Sequence, residues 1–149
     1  MVAIKEMREL IGEHEALMAY MQTLTKTAER LAAPESGAGE RLWNYRYCLH
    51  DFKDAILFHL DVDDRVFKSV LGVNYIIEDP AEEHREIQRM LDDMIATADS
   101  AAIDKLRQED MCRFCDQLGL AFKKVAKLIE LHIARENAIL DKVQKTLNQ

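Results

Sequence analysis

Apolar residues recur along most of this chain in alternating steps of three and four. That spacing lines one face of a helix packed in a bundle. Four runs show it. The first, about residues 4–31, carries Met7, Leu10, His14, Leu17, Met21, Leu24, Ala28 and Leu31. The second, about 40–71, carries Leu42, Tyr45, Leu49, Phe52, Ile56, His59, Asp63, Val66 and Val70. The third, about 80–98, carries His84, Ile87, Leu91, Met94 and Ala98. The fourth, from near 104 to 146, carries Leu118, Phe122, Val125, Ile129, His132, Glu136, Ile139 and Val143. No run alternates with the period of two that marks a strand, and no repeat of solenoid length is present. The pattern predicts an all-α fold, an up-down-up-down four-helix bundle filling one domain over residues 1–149.

Breaks between the runs are sparse. Ala-Ala-Pro-Glu-Ser-Gly-Ala-Gly (32–39) reads as a loop, and Leu-Gly-Val-Asn (71–74) ends the second run. Asp79-Pro80-Ala81-Glu82 reads as a helix start, with Asp as N-cap, Pro at the first position and Glu at the third. Ala-Asp-Ser-Ala (98–101) is the weakest boundary.

Six polar residues stand in the seams where hydrophobes are expected. Each run contributes one histidine (His14, His59, His84, His132), and two of these carry a carboxylate four residues on, Asp63 and Glu136. A spacing of four puts both side chains on one helix face, roughly 6 Å apart along the axis. Measured from the first loop, His14 and His59 rise to roughly 27 and 29 Å, so an antiparallel hairpin sets them side by side. His59 and His84 flank the second connection and can be level too. The third connection fits less well. His132 stands much farther from the start of its helix than His84 does from the end of its own. Either helix 4 overhangs the bundle, or residues 99–112 include irregular chain, or Gly119 marks a bend.

Composition narrows the function classes. The chain is 48% apolar and 32% charged with a formal charge of -7, and no Lys/Arg cluster dominates a face, which disfavours nucleic acid and anionic membranes. No apolar stretch reaches the roughly 18 residues of a membrane span. The opening Met-Val-Ala-Ile-Lys-Glu-Met-Arg lacks the apolar core of a signal peptide, so a cytoplasmic location is expected. Three cysteines do not suggest a disulfide framework.

Any one seam histidine, taken alone, reads as a core residue satisfied by hydrogen bonds. Asp63 alone, beside Asp61 and Asp64, reads as a solvated flank. The joint pattern does not, because a buried ionised carboxylate is costly unless paired or metal-bound. Four imidazoles and two carboxylates without thiolate are too many for one tetrahedral zinc and suit two octahedral first-row ions. Two such ions need about twelve bonds. Four imidazoles and two bridging carboxylates supply about eight, leaving room for a bridging oxide or hydroxide, waters or a small exogenous ligand. This points to a pair of non-haem irons in a bundle core.

His59-Leu-Asp-Val-Asp-Asp-Arg-Val-Phe67 resembles the H-x-x-x-E-E-x-x-L/F helix of hemerythrin-like (HHE cation-binding) domains. His132-Ile-Ala-Arg-Glu-Asn-Ala-Ile-Leu140 is similar to that family's fourth-helix copy. Gly12-Glu13-His14-Glu15 and Glu82-Glu83-His84-Arg85 resemble its first- and third-helix signatures. The resemblance implies a four-helix bundle holding two non-haem irons (Fe2+/Fe3+), oxo- or hydroxo-bridged, with His14, His59, Asp63, His84, His132 and Glu136 as ligands. Two departures matter. Asp63 stands where the family usually has Glu, and the second helix-3 histidine of oxygen carriers is replaced at both neighbouring turns, by Pro80 and Gln88. The resemblance therefore favours binding, sensing or processing of O2, NO or peroxide, or the handling of iron itself, over reversible oxygen carriage.

Other features carry less. His50 lies nine residues from His59, half a turn round the helix, and is expected to face solvent or a neighbouring element. Cys112-Arg-Phe-Cys115 lacks the βαβ setting of a redox motif and lies roughly 25–30 Å along the helix from His132, so its thiols read as helix packing. A redox switch or an interface thiol is the other reading. Cys48 could approach Cys115 in a bundle. Tyr45 and Phe52 are expected to pack the loop end of the core, and the methionines to fill space. No general acid, base or nucleophile stands out. Activity, if any, would be oxidase-, peroxidase- or NO-reducing in type. A regulatory or partner-binding bundle that reports iron or oxygen is the alternative, a metal-free structural bundle the third reading, and a homodimer is compatible with each.

Overall fold

The structure is a computed structural model that describes residues 2–31, 38–71, 78–100 and 108–147. Four helices account for all of them: α1 (Val2–Leu31), α2 (Ala38–Leu71), α3 (Glu78–Ser100) and α4 (Gln108–Leu147). The sequence gives them little reason to break. Of two prolines, Pro80 sits in the first turn of α3, where its missing N–H costs nothing. Charges at the ends favour the helix dipoles, with Glu109 and Asp110 in the first turn of α4 and Lys145 in its last.

Cross-helix pairs give the topology. On α1 and α2, His14 meets His59 while Tyr20 meets Phe52, so numbers rise on one helix as they fall on the other. The ion pairs Lys53–Asp92 and Arg46–Asp99 show the same reversal between α2 and α3. His14–Asn137 and Glu29–Lys123 show it between α4 and α1. The bundle therefore runs up-down-up-down, with α1 and α3 each packed on α2 and α4.

The interior is layered. A large apolar core runs from Leu17 to Leu31 on α1 and takes in Leu42, Tyr45, Phe52, Leu91, Phe122 and Ile129. A smaller one, Met7, Leu10, Val66, Phe67 and Leu140, closes the opposite end. Between them lies a polar layer, because His14 falls between Leu10 and Leu17 and His59 between Ile56 and Val66.

The seams hold with local shifts. From Met7 to Leu31 and from Leu42 to Val66 the expected apolar positions are buried, while the Val70 side chain lies outside the described residues. On α4 the seam leaves the expected track after Glu136: Leu140 is buried, and Ile139 and Val143 are only half-buried. A straight helix drifts about 20° per heptad against a 3.5 repeat, and over a helix of this length the stripe rotates by a position. Asp79 falls inside the first turn of α3, since that helix already begins at Glu78. The expected loop at 32–39 lies outside the described residues at 32–37, with Ala38 and Gly39 already in α2. Residues 72–74, 101 and 104–107, also part of the expected breaks and of the start of helix 4, lie outside as well.

At the third connection the described residues show an overhang of α4 past α3, while residues 101–107, where irregular chain is the other expectation, lie outside them. His84 and His132 are level, yet α3 continues 16 residues beyond His84 and α4 begins 24 before His132. The excess, roughly 12 Å of helix, carries Met111 and Cys115 into the large core beside Leu31 and Leu42. α4 is helical through Gly119. No described helix is long and apolar enough to cross a membrane.

Candidate metal centre

The six polar seam residues converge in the layer between the two apolar cores. His14, His59, Asp63, His132 and Glu136 are each at most 3% exposed, and the His84 side chain is 12% exposed. They form two overlapping groups, each with its donor atoms within 4.8 Å of one another: His14, His59, Asp63 and Glu136; and His84, His132, Asp63 and Glu136. Each group offers two ring nitrogens and two carboxylates, and the carboxylates are common to both.

All four rings turn Nε2 inward. Asp63 lies at the centre, with Oδ2 3.4 Å from His132, 3.5 Å from His59 and 3.6 Å from His84, and Oδ1 3.8 Å from His14. Glu136 Oε1 approaches His132 at 2.6 Å, His14 at 3.7 Å and His59 at 3.9 Å. The rings pair edge to face, His14 with His59 at 4.8 Å between centroids and His84 with His132 at 4.5 Å. These convergences follow from sequence locally: the four-residue spacing stacks His59 on Asp63 and His132 on Glu136, and the antiparallel register supplies His14 and His84.

Left to itself this layer is poorly satisfied. His14 Nε2, His59 Nε2, Asp63 Oδ1 and Glu136 Oε1 are buried and make no hydrogen bond of acceptable geometry among the described residues. His84 and His132 bring Nε2 atoms to 2.9 Å of each other, which requires a proton or a cation between two lone pairs. Buried polar groups are rarely left so, and four of them aimed at one space fit positive ions placed among them. The donor chemistry also fits: neutral imidazoles and carboxylates, with no thiolate.

Charge at the site points the same way. Burial would lower the His132 imidazole, but Asp63, Glu136 and Glu83 outweigh it and push it up to about 10. Burial lowers His59 too, and Glu136, Asp63 and Glu13 reverse the effect, leaving it raised. Burial would raise the Asp63 carboxyl, yet the imidazoles of His132, His14 and His84 hold it far below the carboxylate range. Without a metal the carboxylates therefore gather protons onto the imidazoles. A cation that displaces those protons takes over their role.

The outer nitrogens are also held. His59 Nδ1 pairs with Glu13 at 3.1 Å, His132 Nδ1 with Glu83 at 2.9 Å, and His14 Nδ1 with Asn137 at 2.6 Å. In sequence these three partners figure only within the family-like motifs, with no role of their own, because each lies one position off a seam residue. His50 is exposed and shares Asp99 with Arg46, on the α3 side and away from the layer. All three cysteines are free, with Cys115 buried and its thiol pushed up to about 11 chiefly by burial.

Comparison with known families gives one finding: the hemerythrin HHE cation-binding domain model matches residues 7–142. That range contains all six residues of the layer and all but the outermost turns of α1 and α4. Searches of curated proteins and of solved structures returned no match.

Proposed function

The chain belongs to the hemerythrin HHE cation-binding family, and from that premise we propose that its polar layer holds two non-haem irons that bind O2, NO or peroxide. The observation that carries the reading is the set of buried, unpartnered donor atoms ringed about two shared carboxylates. His14 and His59 would hold one ion and His84 and His132 the other, with Asp63 and Glu136 serving both. When bound, the irons would supply electrons and Lewis-acidic positions for a small ligand.

The chain's own residues set the terms. Leu10 and Leu17 on α1, Ile56 on α2, Ile87 on α3 and Ile129 on α4 exclude water from the layer. The exposure of His84, the greatest of the four histidines, supports entry of a small ligand from that side. Gln88, one turn from His84, is exposed and adds no imidazole. That shortage of nitrogen supports sensing or processing over reversible carriage. A second reading, a bundle that reports iron by its stability, is favoured by the same unpartnered atoms, since metal loss would leave them bare.

Metal content and visible absorption, read before and after O2 or NO, test the proposal. About two irons per chain with a gas-dependent charge-transfer band is the expected result. Zinc alone, or no band after anaerobic loading with ferrous iron, would refute it. Loss of helicity on chelation without any gas response would favour the reporter reading.

A further inference from the structure

The contacts outside the metal layer form a closed, repeated pattern. Glu13 on α1 backs His59 on α2, Glu83 on α3 backs His132 on α4, and Asn137 on α4 backs His14 on α1. Asp64 on α2 faces His84 Nδ1 on α3 at 3.8 Å, longer than a hydrogen bond. Each helix thus reaches to the next, and α4 returns to α1. The local offsets repeat as well. Glu13 and Glu83 each immediately precede a layer histidine, and Asp64 and Asn137 each immediately follow a layer carboxylate. Two halves of one chain arrive at the same two placements with no shared backbone. A surface pairing of chance would not recur at matching offsets.

The two glutamates are unusual for their type. Glu13 is 28% and Glu83 15% exposed at the side chain, where glutamates are mostly solvated. Each aims a carboxylate oxygen at the outer face of an imidazole whose inner face belongs to the layer. A carboxylate there fixes the proton on Nδ1, leaves the Nε2 lone pair pointing inward and makes the ring a stronger donor.

We propose that Glu13 and Glu83 are positioning residues of the metal centre, one for each donor group, acting through His59 and His132. The inference rests on the metal-centre reading above. The two are not equal. Glu83 also accepts a hydrogen bond from Arg135 Nη1 through its other oxygen, whereas among the described residues no Lys or Arg pairs with Glu13, whose partner is His59 alone. Arg135 draws off part of the Glu83 charge, so Glu13 polarises its imidazole more strongly. Substitution at 13 therefore costs more affinity than the same substitution at 83.

The test is Co2+ titration of the stripped full-length protein, wild type beside Glu13→Ala, Glu13→Gln, Glu83→Ala and Glu83→Gln, with urea midpoints of the cation-free forms. Wild type is expected to take two Co2+ per chain. Each alanine variant should weaken one of the two by about 10–100-fold, more at 13 than at 83. Glutamine keeps the acceptor oxygen and loses the charge, so its loss should be intermediate. Cation-free midpoints should fall only slightly, because Asp63 and Glu136 hold the protonated imidazoles more strongly than Glu13 and Glu83 do. A merely structural glutamate would instead move the midpoint and leave cobalt affinity alone. Alanine variants that bind both ions within twofold of wild type overturn the proposal, as does affinity that falls only in step with cation-free stability. A wild type that takes up no Co2+ is a separate result: it removes the metal centre itself, and the positioning roles with it.

Discussion

Stripping the metal should leave a bundle that still folds but is much weaker. Four buried atoms, His14 Nε2, His59 Nε2, Asp63 Oδ1 and Glu136 Oε1, have no hydrogen-bond partner among the described residues. An unsatisfied buried polar atom costs about 1–3 kcal/mol, so four cost on the order of 4–12 kcal/mol. That rivals the roughly 5–15 kcal/mol net stability of a typical domain. Protons gathered by His59 and His132 recover part of it, which sets the expected loss near the lower bound, about 4 kcal/mol. For a chain of this length each kcal/mol moves Tm by about 2–4 °C, so stripping should lower Tm by about 8–16 °C. The assay is thermal unfolding followed by far-ultraviolet circular dichroism. The protein is measured as loaded, after anaerobic chelation and dialysis, and after re-addition of the cation. Recovery on re-addition separates lost binding energy from damage. A stripped protein that melts within 2 °C of the loaded form would refute the reasoning, since the orphaned atoms would then have found partners without a metal.

Further outcomes follow from single features. His132 sits at about 10 in the cation-free fold against an ordinary 6.5, so its contribution to stability is fully present below pH 6.5 and is lost as pH rises through 10. At neutral pH a cation must displace that proton, so divalent affinity should climb up to about tenfold per pH unit between 7 and 10. Calorimetry in buffers of different ionisation enthalpy should count the proton released, and pH-independent affinity would contradict this. Asp63→Asn removes the carboxylate that faces all four imidazoles, and should weaken both ions together, with equilibrium dialysis as the check. The buried Tyr45 hydroxyl has no hydrogen-bond partner among the described residues, so Tyr45→Phe should leave cation binding unchanged and stability equal or higher by about 1 kcal/mol. At Gly119 an added Cβ would meet the Ala28 Cβ and carbonyl at 3.7 Å, ordinary contact, so Gly119→Ala should gain about 0.5–1 kcal/mol of helix stability in urea unfolding.

The helices and the inward face of the layer were legible in sequence because both are periodic. A residue's rotation about its own helix is a local property, and a polar residue in an apolar stripe must enter the core wherever its neighbours lie. His14, His59, Asp63, His84, His132 and Glu136 could be singled out on that ground alone. The positions that shifted depend on more than one helix. Leu140 displaced Ile139 from the core because a long helix rotates against its partners by an amount its own sequence does not state. The overhang of α4 depended on how much of residues 99–112 would be helical, and a run with neither Gly nor Pro says little about that.

The sequence by itself determined that four helices would form and that each would turn an imidazole toward the core. It also determined that two would bury a carboxylate one turn on, since these facts follow from helical pitch and the cost of burying charge. Only the tertiary structure decided which neighbour stands behind each imidazole. Glu13 reaches His59 rather than a ring on another helix because α2 is the helix packed on that side of α1. Glu83 reaches His132 for the same reason on α4. One-dimensional spacing fixes the angle of a side chain about its own axis. The order and hand in which four axes pack is a property of the whole bundle, and it alone places an off-seam glutamate against a particular ring nitrogen.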